Sequence, residues 1–291
     1  MKYLFIINPK SGIKHPLQRI KEYIKTVFDQ ESAHSYEIAY TQHTGHAKIL
    51  AGQAVEHNVD MVVAAGGDGT VNEVCSALVF KETGFGLIPM GSGNGFARSL
   101  NIPLNYKMAI DRLIKGTIKK IDVGRIGDNY FFGVAGFSFD AQIGAKFATY
   151  SHRGPLPYFY IGLREFFKYQ YEEFQLSFDD QKIVTNPLIL TIANTSQYGN
   201  GAVIAPQADY KDGMLDICII DRLKFFSGVL KLNYLFNRKI QSFSAYRSYR
   251  TKKVQIKRES NSGFFHLDGE IHKGSQNLEI EIIPLALKVC C

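Results

Sequence analysis

The sequence predicts an α/β protein in two parts, a parallel α/β domain followed by an antiparallel β-sandwich domain. Three observations lead there. Apolar strand-like runs alternate with helix-like segments through about the first 120 residues. Turns containing glycine close three of those runs. After about residue 121 the texture changes to short alternating segments, with Asp-Asp and Asp-Gly pairs as turn chemistry.

Residues 2–8 are a short apolar run, read as a buried first strand. Residues 16–28 carry Leu17, Ile20, Ile24 and Val27 at helical spacing. A strand is expected over 36–41, a helix over 47–56, a buried strand over 60–65 and a helix over 71–80. Residues 85–90 form a further strand, 96–100 open a helix, and 106–115 form another that Gly116 stops. This β-α-β-α order implies a parallel sheet covered by helices. In the second half, 130–139 is apolar with interspersed glycines. Residues 157–174 look helical and are dense in Tyr and Phe, as core or as the lining of an acyl-chain pocket. Alternating segments follow at 174–178, 183–194, 214–220, 252–257, 264–267 and 278–283. The boundary is expected near 120–125, giving domains 1–122 and 123–291, with a return of the last residues to the first domain allowed.

Composition narrows the function classes. With 45% hydrophobic and 21% charged residues over 291 positions, the chain is globular, and disorder as the main state is excluded. No apolar stretch approaches the ~20 residues of a spanning helix. The first apolar run is too short for a signal-peptide core and ends in Asn8-Pro9. Cys75, Cys218, Cys290 and Cys291 have no metal spacing, and the terminal pair reads as a frayed tail. A cytoplasmic location is expected, peripheral to the inner membrane surface if the basic segment docks there. That segment, 222–258, holds eleven Lys and Arg and no Asp or Glu, which leaves the remainder of the +7 chain at net −4. Phe225, Phe226, Leu230, Leu232, Tyr234, Leu235 and Phe236 are interleaved with the charges. Basic plus apolar favours an anionic lipid surface over nucleic acid, and a merely solvated face is the plain alternative.

In a parallel sheet the loops at the carboxyl ends of the strands share one edge. The first such loop is Asn8-Pro9-Lys10-Ser11-Gly12, and the second holds Thr41. The third is Gly66-Gly67-Asp68-Gly69-Thr70, leading into Val71-Asn72-Glu73, and the fourth is Gly91-Ser92-Gly93-Asn94-Gly95. Glycine lets a backbone turn sharply and approach a ligand, and a following helix N-terminus attracts anions. Asp68 inside such a cradle repels phosphate unless a cation lies between them, which points to a nucleotide carrying Mg²⁺. Neither a Walker-type loop nor a dinucleotide Gly-x-Gly-x-x-Gly is present.

The run Gly66-Gly67-Asp68-Gly69-Thr70-Val71-Asn72-Glu73-Val74 resembles the signature of the diacylglycerol kinase catalytic family, which includes bacterial soluble lipid kinases and is related to sphingosine and ceramide kinases. The resemblance extends from Asn8 to the last strand. It is joined by Asn-Pro-x-Ser-Gly, Gly-Ser-Gly-Asn and a late Asp268-Gly269-Glu270. It implies a Rossmann-like N-terminal domain, a C-terminal sandwich of the NAD kinase and diacylglycerol kinase kind, and transfer of the γ-phosphoryl group of ATP to a lipid hydroxyl. It implies ATP contacts from Asn8, Pro9, Lys10, Ser11, Gly12, Thr41, Gly66, Gly67, Asp68, Gly69, Thr70, Val71, Asn72, Glu73 and Ser92. Glu270 is implied as general base, with Asp268 as its support or its rival, although Asp-Gly is also a common hairpin turn. The 209–214 loop resembles the family's structural Mg²⁺ loop, with Asp212 on the ion and backbone carbonyls at Asp209 and Met214. Many bacterial members have Gly-Thr-x-Asn-Asp where this chain has Gly91-Ser92-Gly93-Asn94-Gly95. That leans toward the sphingoid-base and ceramide branch and leaves the acceptor lipid open.

The rivals are an NAD kinase, which shares the Gly-Gly-Asp-Gly loop but is not expected to carry Gly-Ser-Gly-Asn and Asp-Gly-Glu together, and a nucleotide- or nucleic-acid-binding module using the basic segment. No nucleic-acid partner is expected, and the oligomeric state is open between monomer and homodimer. His43, His46, His266 and His272 lie near the motifs and are assigned no role.

Overall fold

A computed structural model of the chain describes residues 1–12, 17–148, 164–166, 168–223, 233–260 and 263–291. These form two compact units, the first comprising 1–123 with 284–291 and the second 124–283. Residues 157–163 and 167 of the aromatic segment lie outside the described residues, as does 224–232 of the basic segment.

The first unit is built on β1 (Lys2–Ile7), β2 (Ser35–Tyr40), β3 (Met61–Gly66) and β4 (Gly84–Pro89), in the parallel order β2-β1-β3-β4. Every residue of β3 is buried, because Met61, Val63 and Ala65 face one layer while Val62 and Ala64 face the other. The helices are α1 (Leu17–Phe28), α2 (His46–Glu56), α3 (Asp68–Leu78), α4 (Gly95–Ser99) and α5 (Tyr106–Lys115). Ile20, Ile24 and Phe28 of α1 and Ile110 and Leu113 of α5 pack with Phe5, Ile7 and Val63. The helix expected over 71–80 starts three residues earlier, since Gly67 is its N-cap and Asp68 opens its first turn.

Successive strands step outward from β1 in opposite directions, to β2 on one side and to β3 and β4 on the other. The crevice between β1 and β3 is therefore a topological switch point, where the loops after the strands diverge. Registers Ile7↔Ala65 and Gly66↔Pro89 bring those loops to one edge.

The first unit also receives the chain's end. The strand β18 (Asn277–Cys290) runs through both units, and Val289 pairs in parallel with Phe85 of β4. Cys291 donates its N–H to Thr117 and accepts that of Thr117, at 3.1 and 3.3 Å. The expected frayed tail is thus a paired, buried strand end, with all four cysteines buried and free. Its physical reason is the partner: an apolar Leu-Ala-Leu-Lys-Val-Cys-Cys tail completes a sheet that is not local in sequence.

The second unit is a sandwich. One sheet runs β14 (Tyr246–Thr251), β13 (Leu215–Ile220), β10 (Ile189–Ala193), β7 (Val134–Gly136), β16 (Gly263–Leu267), β17 (Glu270–Gly274). Facing it are β9 (Gln181–Thr185), β8 (Phe174–Phe178), β15 (Lys253–Arg258) and the 277–283 part of β18. Leu176, Val254, Ile256 and Ile280 from the second sheet meet Phe137, Leu190, Ile217 and Phe265 from the first, closing one apolar core. The single segment expected over 183–194 divides into β9 and β10 because Pro187 lies between them and lacks a ladder donor. The strands β5 (Ile118–Ile126) and β6 (Asn129–Phe131) form a hairpin, and β7 leads into α6 (Phe139–Ala148), a helix not expected from the sequence.

Candidate functional site

The glycine loops of the first unit interlock. Gly67 and Gly91 approach so closely that a Cβ on Gly91 would lie 2.7 Å from the Gly67 Cα, so the fourth loop has no room for a side chain there, and a Cβ on Gly67 would be tight at 3.3 Å. Asn94, in the left-handed region at φ 50°, folds the fourth loop on itself. It accepts from Gly91 N at 2.9 Å and donates to Gly91 O at 2.8 Å. The Asp68 carboxylate accepts the N–H groups of Asn94 and Gly95, each at 3.0 Å, and so ties the third loop to the start of α4. Ser11 Oγ accepts the Gly67 N–H at 3.2 Å, and Asn8 Nδ2 donates to Thr70 Oγ1 at 3.0 Å. Asn8 through Ser11, Gly66 through Thr70 and the 91–95 loop therefore form one connected edge at the switch point. Thr41 is held against β1 by its N–H on Ile7 O at 2.9 Å. Ser92 is exposed on the fourth loop.

Glu73 caps a neighbouring helix. Its carboxylate accepts Gly45 N at 2.7 Å and Ala47 N at 3.0 Å, capping α2, whose own N-cap residue Gly45 has no side chain to offer. The chain beyond Thr41 is thus anchored to α3. His43 and His46 stack with centroids 5.0 Å apart, and His46 Nδ1 accepts the Gln42 N–H.

The first turn of α3 offers N–H groups with no acceptor inside the helix, an arrangement suited to phosphate oxygens. Mg²⁺ usually takes one or two carboxylates beside phosphate and water. A lone Asp68 fits an ion brought in by a nucleotide. Among the described residues no group of three His, Cys, Asp or Glu side chains is gathered to hold a metal.

In the second unit, Asp268 and Gly269 both have positive φ, 51° and 92°, between the paired residues Leu267 and Glu270. This is the two-residue type I′ hairpin that Asp-Gly favours. Asp268 is also a clamp. Its Oδ1 accepts Gly133 N at 2.7 Å and Val134 N at 3.0 Å, and its Oδ2 accepts Phe132 N at 2.9 Å. Glu270 opens β17 and is half-buried. Behind the turn lies a polar cluster that sequence reasoning missed, made of Ser138, Asp140, Thr191, Tyr198 and His266. Burial raises the Asp140 carboxyl, but its interaction with His266, with help from Thr191 and Ser138, carries it below the ordinary carboxylate value. Burial and the Asp140 charge push Tyr198 well up. The signal that was available is a lone carboxylate, Asp140, within an apolar stretch.

The 209–214 loop brings Asp209 and Asp212 together, but each carboxylate has a partner. Asp209 Oδ1 accepts Lys211 N and Asp212 Oδ1 accepts Met214 N, while Asp212 Oδ2 is paired with Arg250. Arg250 thus lies on the carboxylate that the resemblance gives to Mg²⁺. Other basic residues of 222–258 are also engaged. Arg247 pairs with Asp221, Lys253 pairs with Glu279, and Arg258 is 1% exposed over the Phe174 ring. Among the described residues the exposed basic and apolar part of the segment includes Phe236, Arg238 and Lys239.

Residues 2–126 match the diacylglycerol kinase catalytic domain, and residues 133–291 match the YegS C-terminal NAD kinase beta sandwich-like domain. A Chromohalobacter salexigens protein named "Probable lipid kinase YegS-like" is 32% identical over 226 residues, 74% of this chain and 70% of the relative. A Staphylococcus saprophyticus protein named "Diacylglycerol kinase" is 28% identical over 224 residues, 75% of this chain and 72% of the relative. A crystal structure of a diacylglycerol kinase from Bacillus anthracis superposes with a TM-score of 0.76 at 20% identity, covering 99% of this chain and 96% of that one, which shows a shared fold.

Proposed function

The chain belongs to the family of the diacylglycerol kinase catalytic domain and is a lipid kinase, and from this premise we propose how its residues divide the work. ATP is the phosphoryl donor. Its phosphates lie on the edge formed by Asn8–Gly12, Gly66–Thr70 and Ser92, against the N-terminus of α3. The observation that carries this reading is the meeting of two glycine loops at the switch point, Gly67 against Gly91. Mg²⁺ neutralises phosphate charge when bound, with Asp68 as its protein carboxylate. An ion in the 209–214 loop requires Asp212 to exchange Arg250 for the metal, with the carbonyls of Asp209 and Met214 beside it.

Glu270 takes the proton of the acceptor hydroxyl as the oxygen attacks the γ-phosphorus, whose bond to the β–γ bridging oxygen breaks so that ADP leaves. Asp268 supports it by holding the turn, because its carboxylate is already committed to three backbone N–H groups. Diacylglycerol is the expected acceptor, and a relative named for that activity supports it. Among the described residues, contact with anionic lipid falls to Phe236, Arg238 and Lys239.

Radiolabelled ATP, Mg²⁺ and vesicles containing diacylglycerol, sphingoid base, ceramide or phosphatidylglycerol, with NAD as a soluble control, test the reading. Label in phosphatidic acid is the expected result. Label in a sphingoid or ceramide phosphate would move the enzyme to that branch, and label in NADP alone would overturn the lipid assignment. Vesicle binding indifferent to anionic lipid and to salt would remove the docking surface.

A further inference from the structure

The polar cluster behind the Asp268–Glu270 turn is costly to bury and has an outlet. Asp140 is 8% exposed and His266 is 5% exposed. An apolar pair would fill the same space without the cost of desolvating a carboxylate and an imidazole. Asp140 is fixed from all sides. Its Oδ1 accepts Ser138 N at 3.1 Å and Ala141 N at 2.9 Å, and its Oδ2 accepts Thr191 Oγ1 at 2.9 Å and Tyr198 OH at 3.1 Å. His266 Nε2 stands 3.6 Å from that same Oδ2. The other ring nitrogen, Nδ1, accepts the N–H of Gly269 at 3.3 Å. That donor sets the tautomer: Nδ1 must carry the lone pair, so the proton sits on Nε2, facing Asp140. Gly136 pairs with His266 across the ladder and leaves room for the two to meet, since a Cβ there would lie 2.1 Å from Asp140 Oδ2 and 2.3 Å from His266 Nε2.

We propose that His266, oriented by Asp140, is a positioning residue that holds the amide of Gly269 and with it the placement of Glu270. The proposal rests on the reading of Glu270 as base. A buried charge fixes an imidazole, the imidazole fixes the exposed central amide of a two-residue turn, and the next residue is the carboxylate that must reach the hydroxyl. Asp268 secures the same turn from its other central residue, so the turn is pinned at both positions.

Side-chain length separates this role from packing. In His266→Asn the amide oxygen can stand where Nδ1 stood and accept the Gly269 N–H. In His266→Gln the amide reaches toward Asp140 and leaves Gly269 without an acceptor. His266→Ala and His266→Gln are expected to lose about tenfold to a hundredfold in kcat with KM for ATP within about twofold, and His266→Asn to recover most of the loss. Asp140→Asn preserves shape but removes the charge that favours the Nε2–H tautomer, and is expected to fall with the alanine variant. Amide hydrogen exchange of the 263–274 peptide reads the bond without reference to catalysis, and faster exchange at Gly269 in His266→Gln than in His266→Asn is the expected result. Equal activity and equal exchange in the Asn and Gln variants would overturn the proposal. Full activity in Glu270→Gln would instead remove the base assignment, and the exchange result would stand apart from it.

Discussion

Asp268 and Glu270 are adjacent to the same glycine, and substitution should separate their work. Asp268 accepts three backbone N–H groups, at 2.7, 2.9 and 3.0 Å, from the buried residues Phe132, Gly133 and Val134. A hydrogen bond to a charged acceptor contributes about 1.5–3 kcal/mol, and a buried donor left unmade costs a similar amount. Asp268 is only half-buried, so water replaces part of the loss, and Asp268→Ala should destabilise the protein by about 3–5 kcal/mol. Asp268→Asn keeps one acceptor oxygen for Gly133 and Val134 but turns an amide N–H₂ toward the Phe132 N–H, for a cost of about 1–3 kcal/mol. Glu270→Gln should leave stability within about 0.5 kcal/mol and lower kcat by about 10² or more, the range of a lost general base. Urea unfolding followed by initial rates on ATP and lipid vesicles measures both quantities on the same samples. The reasoning fails if Asp268→Asn retains wild-type stability while losing activity as deeply as Glu270→Gln, because Asp268 would then act in the chemistry and not in the turn.

Other substitutions probe the first unit and the acid-sensitive part of the second. Gly91→Ala drives a methyl to 2.7 Å from Gly67 Cα and 2.9 Å from Asn94 Oδ1, and KM for ATP is expected to rise about tenfold or more in steady-state assays with the lipid KM unchanged. Glu73→Gln should lower stability by about 1 kcal/mol through the weakened cap on α2, seen as a Tm drop of about 2–4 °C, whereas a tenfold rise in KM for ATP without that drop would mark it as a nucleotide contact. Burial raises the Asp216 carboxyl to about 6, with Asp212 adding to the rise and Arg250 opposing it. The folded state thus holds that proton more tightly than the unfolded chain, and stability present below pH 4 is lost as pH rises through about 6. With chelator present, Asp216→Asn should therefore gain about 1–3 kcal/mol over wild type at pH 8 and nothing at pH 4, and a pH-independent difference would contradict the assignment.

The first unit was largely legible because its information is local. A continuous apolar run such as Met61–Gly66 followed by glycines states both a buried strand and the loop after it. The strands that escaped notice are those whose apolar face is thin. Tyr246–Thr251 reads Tyr-Arg-Ser-Tyr-Arg-Thr, and its arginines look like a solvated charge run until Asp221 and Asp212 are brought alongside by the fold. The basic segment is only partly legible for the same reason: a charge count does not register partners supplied from other strands. The Asp140–His266 pair lies further out of reach. Its members are 126 positions apart, and it needs the register that sets His266 opposite Gly136. No period in the sequence encodes that placement.

A common physical theme joins the acidic residues that the motifs singled out. Asp68, Glu73 and Asp268 each accept two or three backbone N–H groups from a neighbouring loop. In each case a carboxylate closes a helix start or a turn that carries unpaired donors, and a charged acceptor does this better than a neutral one. Motif acids in this fold therefore shape the loops as well as serving the reaction, and loss of activity on removing one is expected from architecture alone. A chemical role is assigned only where activity falls while stability and loop protection hold. By that criterion Glu270 should separate from Glu73 and Asp268, with Asp68 serving both loop and ion and His266 as a residue whose loss moves the turn and the rate together.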